Sequence, residues 1–436
     1  ETPRPAIMSS PMQSDPPSTG PVIFISAGEA SGEHYGALLA TSIQQQLAPK
    51  GETAELYGMG GPRMEAAGVR RVVRAEDMAV MGITEIVLHL PRIYREFQKL
   101  KQAIRAHPPS VAILIDFPDI HLRLAREFKR LGVPVIFFVS PQLWAWKQHR
   151  IKLVREFIKR MLVIFPFEVP FYRSRGVAAE FVGHPLADLP LPSITRRQFA
   201  SVNNLDPART WIGLLPGSRL TEIRDHLPTM LDAARGLPES ASFEFLIPLA
   251  PTLDAAQRAT VTQLVHQHDS GLSVHLISDA PTEGLANPTS GGARAVLYHA
   301  RASVVASGTA TVEAALIGNP FVVVYHVSPV TYAIAKRVVK VPHVAMANLI
   351  AGKRVVPELI QHDFTASNLV QHLVPLLPDG TPRQSMKMEL EAIRKALRGP
   401  SAQPGSHVPG AIERVANIVV EEISAAPQAA LAAAPH

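Results

Sequence analysis

Two stretches of the 436-residue chain place carboxylates or anion-seeking backbone directly after apolar runs. In "LIDFPDIHL" a strand-like run ends at Asp116, with Asp119 three residues on. A carboxylate flanked by Phe117 and Pro118, and partly desolvated, suits a general base. Loop-amide satisfaction at Asp116, and a cap at Asp119 for a helix starting at Ile120, fit the same spacing. In "VVASGTATVEAALIGNPFVVVY" the apolar run Val304–Ala306 gives way to Ser307, Gly308 and Thr309, then to a helix-like run carrying Glu313. Gly308 lets backbone approach a ligand, the helix start favours a phosphate, and Glu313 would accept hydrogen bonds from ribose hydroxyls. An ordinary N-cap at Ser307 or Thr309, with Glu313 as dipole partner, reads equally well from this stretch alone.

"LLPGSRLTEI" adds a second loop of the same kind, in which Pro216, Gly217 and Ser218 turn the chain and Arg219 leaves it as a forked cation. Arg219 would grip a diphosphate and offset charge on a leaving group, or else pair at the surface with Glu222. "SAGEASGEHYG" carries Glu29, Ser31 and Glu33 among three glycines but matches neither a dinucleotide fingerprint nor a P-loop. Its carboxylates favour sugar hydroxyls over phosphate. No Asp-x-Asp occurs and no third carboxylate stands near Asp116 and Asp119, so no metal is expected.

Two apolar segments point to a lipid surface. Met78, Val80, Met81 and Ile83 lie in "DMAVMGITEIV", and Trp144 and Trp146 precede Lys147, Arg150, Lys152, Arg155, Lys159 and Arg160. Read as one helix, Ile151, Val154, Ile158 and Met161 share a face opposite the basic side chains. Tryptophans beside such a helix suit an anionic membrane surface, although two core tryptophans and a solvated helix give the same pattern.

The elements that must position these residues alternate apolar runs with helical patterns, which means parallel sheets. "VIFIS", "VAILIDF" and "VPVIFFVS" mark one α/β half, and "WIGLLPGSR", "FEFLIPLA", "ASVVAS" and "FVVVYHV" a second. The reading is a disordered extension over 1–20, an N-terminal domain over 21–188, a proline-rich linker over 189–206 and a C-terminal domain over 207–385. C-terminal helices follow over 386–424, with Ala411–Ile423 crossing back onto the first half, and then a tail over 425–436. In open sheets of this kind a ligand binds at the carboxyl ends of the strands, so the site is expected in the cleft between the halves. Hydrophobic residues at 47% and charged ones at 18% describe a rather apolar globular chain. The charge-free run Ala314–Ala335 is broken by Gly318–Asn319–Pro320 and Ser328–Pro329, so it does not read as a membrane span. No signal-peptide pattern starts the chain, so the cytosol is the default. The net charge of +6 suits an anionic partner, and the absence of cysteine excludes disulfides and thiolate-bound metals. Nucleic acid is the weakest such partner, since no recognised module is present.

Taken in order, "SAGEASGEHYGALL", "GMGGPRMEAAG", "MGITEIV", "IDFPDIHL", "SPQLWAWKQHRI", "FPFEVPFY", "FVGHPLAD", "LLPGSR", "ASGTATVEAAL", "NPFVVVYHVSP" and "ANLIAGKRVVPELIQ" resemble lipid-A-disaccharide synthase from about Val22 to Phe364. The resemblance implies a GT-B glycosyltransferase with two Rossmann-like domains facing across a cleft, peripheral on the cytoplasmic face of the inner membrane. It implies transfer from UDP-2,3-diacylglucosamine to 2,3-diacylglucosamine 1-phosphate through a β-1,6 linkage, with release of UDP and no cofactor or metal. Asp116 would then be the base and Arg219 the leaving-group cation, with UDP on Ser307, Gly308, Thr309 and Glu313. Glu29 and Ser31 would line the sugar site, Asn348 would contact the donor, and the two apolar segments would meet acyl chains. Glu33 stands where the family usually shows Asp, which leaves its role open. The rival readings are a UDP-N-acetylglucosamine 2-epimerase, the undecaprenyl-linked muramyl-peptide transferase, and a non-catalytic lipid-surface binder of the same fold.

Overall fold

Short runs rich in Val, Ile and Phe form parallel strands here, because only a sheet covered on both faces keeps such runs from water. The computed structural model describes residues 20–78, 83–268, 271–278, 292–328, 332, 336, 341–400 and 408–425, without the side chains of 83–89. The expected disordered ends lie outside those residues, apart from Gly20 and Ala425.

The strands β1 (Val22–Ala27), β2 (Glu55–Gly60), β3 (Arg70–Arg74), β4 (Val111–Ile115), β5 (Val135–Phe138), β6 (Arg160–Val163) and β7 (Ala179–Phe181) form a seven-stranded sheet in the order β3-β2-β1-β4-β5-β6-β7. A six-stranded sheet follows. It contains β8 (Thr210–Leu215), β9 (Phe243–Pro248), β10 (Val274–Ile277), β11 (Ala302–Ala306), β12 (Phe321–Tyr325) and β13 (Glu358–Ile360), in the order β10-β9-β8-β11-β12-β13. Parallel pairing joins β1 to both β2 and β4, and β11 to both β8 and β12. Every residue of β4 and of β11 is buried.

Each sheet runs outward in both directions from a central pair, β1 and β4 in one and β8 and β11 in the other. Such a reversal splays the loops at the strands' carboxyl ends and opens a crevice there. "SAGEAS" and Asp116 leave the first pair; "PGSR" and "SGT" leave the second.

The described residues divide into two compact units. One lies within Glu1–Val139, Phe157–Lys159 and Ile412–His436, the other within Ser140–Glu156 and Arg160–Ala411. In the first, Phe24 packs at 5.3 Å from Tyr57 and 5.0 Å from Phe128, and the helix Ala411–Ala425 receives Lys159 on Glu422 and Gln46 on the carbonyl of Glu413. In the second, Trp211 is fully buried under the Arg196 guanidinium, 3.5 Å from the ring centre. Arg196 opens the helix Arg196–Asn203, which starts with a Thr195–Gln198 capping box. The proline-rich 189–206 stretch therefore contains this helix, tied down where Arg196 also bonds the carbonyls of Pro207, Arg209 and His299. Among the described residues no helix is long and apolar enough to cross a membrane.

Candidate active site

The first crevice is built on a strained turn. Asp116 and Phe117 both take left-handed backbone, with φ of 50° and 51°, which is costly for side-chain-bearing residues and persists only where neighbours hold it. Asp116 N–H donates to the carbonyl of Phe138 at 2.9 Å, and its carbonyl accepts from Nδ1 of His121 at 2.6 Å. Nε2 of that ring lies 2.8 Å from Oγ of Ser26. A carbonyl can only accept, so the ring's proton sits on Nδ1 and the Ser26 hydroxyl donates to Nε2. Burial holds His121 neutral, its pKa lowered to about 4.

Burial pushes the Asp116 carboxyl up to about 7, the negative charge of Glu29 adds to that, and the Phe117 N–H opposes both. Glu29 and Ser31 are exposed at the start of the helix Ala30–Leu47, where Glu29 is the N-cap residue. Gly28 lies flat on the Phe117 ring: a β-carbon there would stand 2.4 Å from it. The structure thus brings Glu29 to Asp116 across the β1–β4 pair. The cap expected at Asp119 is corrected: the helix begins at Pro118, Phe117 is the N-cap residue, and Asp119 falls in the first turn. Proline suits that first position because it has no N–H to leave unpaired. Glu33 is buried, and its Oε1 accepts from the amides of Arg63 at 2.6 Å and Met64 at 3.3 Å, capping the helix Pro62–Ala66.

In the second unit, Ser307 N–H donates to Val324 across the β11–β12 pair at 2.9 Å, and Gly308, with φ of 156°, leads into the helix Thr309–Ile317. Neither Ser307 nor Thr309 caps that helix. Thr311 bonds the Gly308 carbonyl instead, and the amides of Gly308, Thr309 and Ala310 have no acceptor among the described residues. Three N–H groups without an acceptor at a positive helix end suit an anion. Glu313 is half-buried one turn in, and its charge acts on the buried Arg294.

On the neighbouring β8 exit, Gly217 has φ of 128°, and Oε2 of Glu222 accepts from the amides of Ser218 and Arg219 at 3.0 and 3.3 Å. Arg219 itself is exposed and paired with Glu222 at 2.9 Å, so the surface pair weighed against diphosphate binding is the one seen. Asn348 is corrected outright. It is fully buried, accepts from Val355 and Val356 N–H at 2.7 and 2.9 Å, and donates to Val356 O and Glu358 Oε1 at 2.9 and 2.8 Å. Its amide is saturated, so it braces the turn into β13 and has nothing left for a donor.

The expected lipid contacts divide. Met78 is 3% exposed and offers no surface. Val80, Met81 and the side chain of Ile83 lie outside the described residues. Trp144 is tethered, its Nε1–H donating to Glu168 at 3.0 Å and its ring edge-on to Phe167, while Trp146 is 42% exposed with the Lys147 ammonium 4.1 Å above it. The single long basic helix is also corrected: the helix covers only Ile151–Phe157, and Met161 belongs to β6, where it pairs with Ala179.

Glu168, which the sequence reading passed over, is 2% exposed and accepts from Ser140 Oγ at 2.6 Å, Trp144 Nε1 and Phe165 N. Burial raises it to about 7 against those hydrogen bonds. Its only sequence signal was an acid inside the aromatic string "FPFEVPFY". Among the described residues no three His, Cys, Asp or Glu side chains converge as a metal site.

Solved structures share this arrangement. The calicheamicin glycosyltransferase CalG4 matches with a TM-score of 0.53 at 17% identity, covering 94% of this chain and 100% of that one. MurG of Acinetobacter baumannii matches with a TM-score of 0.51 at 14% identity, covering 92% and 99%. Two doubly wound sheets, each with candidate site loops at the reversal of strand order, define a protein of the GT-B fold. The family described as lipid-A-disaccharide synthetase matches residues 23–404, and the lipid-A-disaccharide synthase of Acidobacterium capsulatum is 54% identical over 417 residues, 94% of this chain and 98% of that protein. The chain belongs to the lipid-A-disaccharide synthase family and is a glycosyltransferase of lipid A biosynthesis.

Proposed function

We propose that the chain transfers the glucosaminyl group of UDP-2,3-diacylglucosamine to the 6-hydroxyl of 2,3-diacylglucosamine 1-phosphate, with inversion, giving the β-1,6 disaccharide 1-phosphate and UDP. The observation that carries this reading is the Asp116 carboxyl, raised to about 7 at the end of β4 beside Glu29. A base that titrates near neutrality holds the proton it takes without being protonated beforehand. As the acceptor oxygen bonds to the anomeric carbon, its proton passes to Asp116, and the bond to the diphosphate oxygen breaks with its electron pair leaving on UDP. The free amides of Gly308, Thr309 and Ala310 receive that charge, and Arg219 leaves Glu222 to join them. Glu313 takes the ribose, and Glu29 and Ser31 take sugar hydroxyls. No metal enters this scheme.

Docking on the cytoplasmic face of the inner membrane belongs to the same proposal. Its support is Leu90 and Tyr94, one turn apart on the helix Ile83–Ala106 and 51% and 65% exposed, together with the lysine-covered Trp146. The test is UDP release by purified protein in detergent with both lipids, with either lipid alone, and with a chelator. Release that needs both lipids and ignores the chelator supports the scheme, whereas release without the acceptor, or its loss on chelation, overturns it. Sedimentation with anionic vesicles, in wild type and in a Leu90→Ser/Tyr94→Ser variant, tests the docking face.

A further inference from the structure

We propose that His226 is a positioning residue that locks together the loops holding the leaving diphosphate; this rests on the reading that those loops hold UDP. His226 lies in the helix Leu220–Gly236 and is 1% exposed, so it acts only through its neighbours. Its Nδ1 is 2.7 Å from the carbonyl of Pro216, and its Nε2 is 3.0 Å from the backbone N of His326. The carbonyl can only accept and the amide can only donate. The ring is therefore neutral with its proton on Nδ1, and each nitrogen is committed to one loop.

Those loops leave β8 and β12, the two strands that flank β11 in the sheet. The imidazole thus spans the exit of β11, where Ser307 and Gly308 begin the anion seat. Ser307 N–H in turn bonds Val324 near the end of β12. Through the imidazole and that backbone bond, the Pro216–Arg219 turn, the start of the Ser307–Ala310 segment and the start of the His326 loop become a single block. The ring plane is fixed by Phe364, edge-on at 5.9 Å, and by Tyr325 at 6.4 Å. Glu222 secures the same turn from the other side through the amides of Ser218 and Arg219. A diphosphate gripped by donors from two loops needs them held at fixed separation before it arrives, and a buried two-ended hydrogen-bonding ring supplies that.

Three variants dissect the role. His226→Leu removes both bonds, His226→Asn retains a donor near Pro216, and His226→Gln retains an acceptor near His326. Calorimetric titration with UDP is expected to show affinity falling about tenfold in His226→Leu, consistent with two lost buried hydrogen bonds, and intermediate losses in the Asn and Gln variants. The KM for the UDP-sugar is expected to rise in step, with the KM for the acceptor lipid unchanged. Unchanged UDP affinity in a folded His226→Leu, with only a lower melting temperature, overturns the proposal and leaves a packing role. Should His226→Leu fail to fold, the Asn and Gln variants and the 15N spectrum of the wild-type ring decide: a proton on Nε2, or unaltered UDP affinity in both variants, also overturns it. Arg219→Ala is the control for the underlying reading. If it too leaves UDP affinity untouched, the diphosphate seat itself is wrong; if it weakens UDP while His226→Leu does not, only the role of His226 fails.

Discussion

The carbonyl of Asp116 and Nδ1 of His121 lie 2.6 Å apart, and the ring that joins them is anchored at its other nitrogen on Ser26. The hydrogen bond reaches the backbone of the proposed base and leaves its carboxyl alone. What it holds is the left-handed turn at Asp116 and Phe117, which without a partner would relax toward ordinary strand geometry and re-aim the carboxyl. Because burial keeps His121 neutral well below pH 6, the brace persists across the working range. In the proposed mechanism the Asp116 carboxyl, and not His121, sets the acid limb of the rate.

Asp116→Asn is expected to lower kcat/KM by roughly 10²- to 10⁴-fold, the range for loss of a general base. In the wild type, kcat/KM should rise through about pH 7 and then level off, since the base works when deprotonated. Stability runs the other way. A carboxyl with a raised folded-state pKa binds its proton more tightly folded than unfolded, so the fold loses stability as pH climbs from about 4 to about 7. Asp116→Asn removes that loss and should melt higher than wild type at pH 8. A variant that keeps full turnover, or a wild-type profile flat from pH 5 to 8, would sink the assignment.

Gly308→Ala tests the anion seat. A β-carbon at Gly308 meets no atom within 4 Å, so the space is open, but φ of 156° and ψ of −162° form a combination that residues other than glycine adopt only under strain. The expected cost to stability is about 1–3 kcal/mol, with the three free amides turned away from a common point. UDP affinity should fall more steeply than the melting temperature. An unchanged affinity would remove these amides from the mechanism.

Asn348→Ala separates bracing from donor contact. The substitution leaves the amides of Val355 and Val356 without their acceptor and the Val356 carbonyl without the Asn348 donor, while Glu358 loses one donor and keeps the amides of Val344 and Ala345. Each orphaned buried group costs about 1–3 kcal/mol, so a marked fall in melting temperature is expected. In whatever fraction stays folded, the KM for the UDP-sugar should match wild type. A raised KM in a protein of wild-type stability would restore the donor contact that the saturated amide argues against.

Legibility in the sequence followed the range of the interactions involved. Runs such as "VAILI" and "ASVVA" were readable as strands because burial on both faces writes itself into consecutive residues, and the loops after them inherited their place from that. The stretch "IKLVREFIKRM" misled because helical spacing happens to continue past the helix end at Phe157. Pairing of Met161–Val163 with Ala179–Phe181 overrides that local pattern. Ser26 and His121 are 95 residues apart, His226 and His326 are 100 apart, and Glu168 takes its two side-chain donors from 24 and 28 residues upstream. Local spacing carries no trace of such bonds. Glu33 shows the same limit, because its capping of Arg63 and Met64 is invisible until the two segments meet.

Glu168→Gln gives the sharpest pH test, because its carboxylate is buried with hydrogen-bond donors and only burial to oppose them. Raised from 4.5 to about 7, it binds its proton more tightly in the folded state, so it withdraws stability as pH rises through that interval and is constant outside it. His121 and His184, lowered to about 4 and about 3, act with opposite sign: their stability is present above pH 6.5 and fades as pH falls toward those values. Between pH 4.5 and 6.5 these histidines therefore oppose Glu168 and Asp116 in the wild-type curve. Glutamine removes the contribution of Glu168 alone. Whatever constant its amide adds by facing the Phe165 N–H, the stability difference between Glu168→Gln and wild type should grow by on the order of 3 kcal/mol from pH 4.5 to 7 and then stay flat. Thermal melts at half-unit pH steps measure this. The Trp144 indole, which donates to the same carboxylate, should report it in fluorescence as a transition near pH 7 that the glutamine variant lacks. A difference curve without slope would mean that Glu168 does not titrate in this range, and that the Ser140–Trp144 loop is held by a carboxylate ionised throughout.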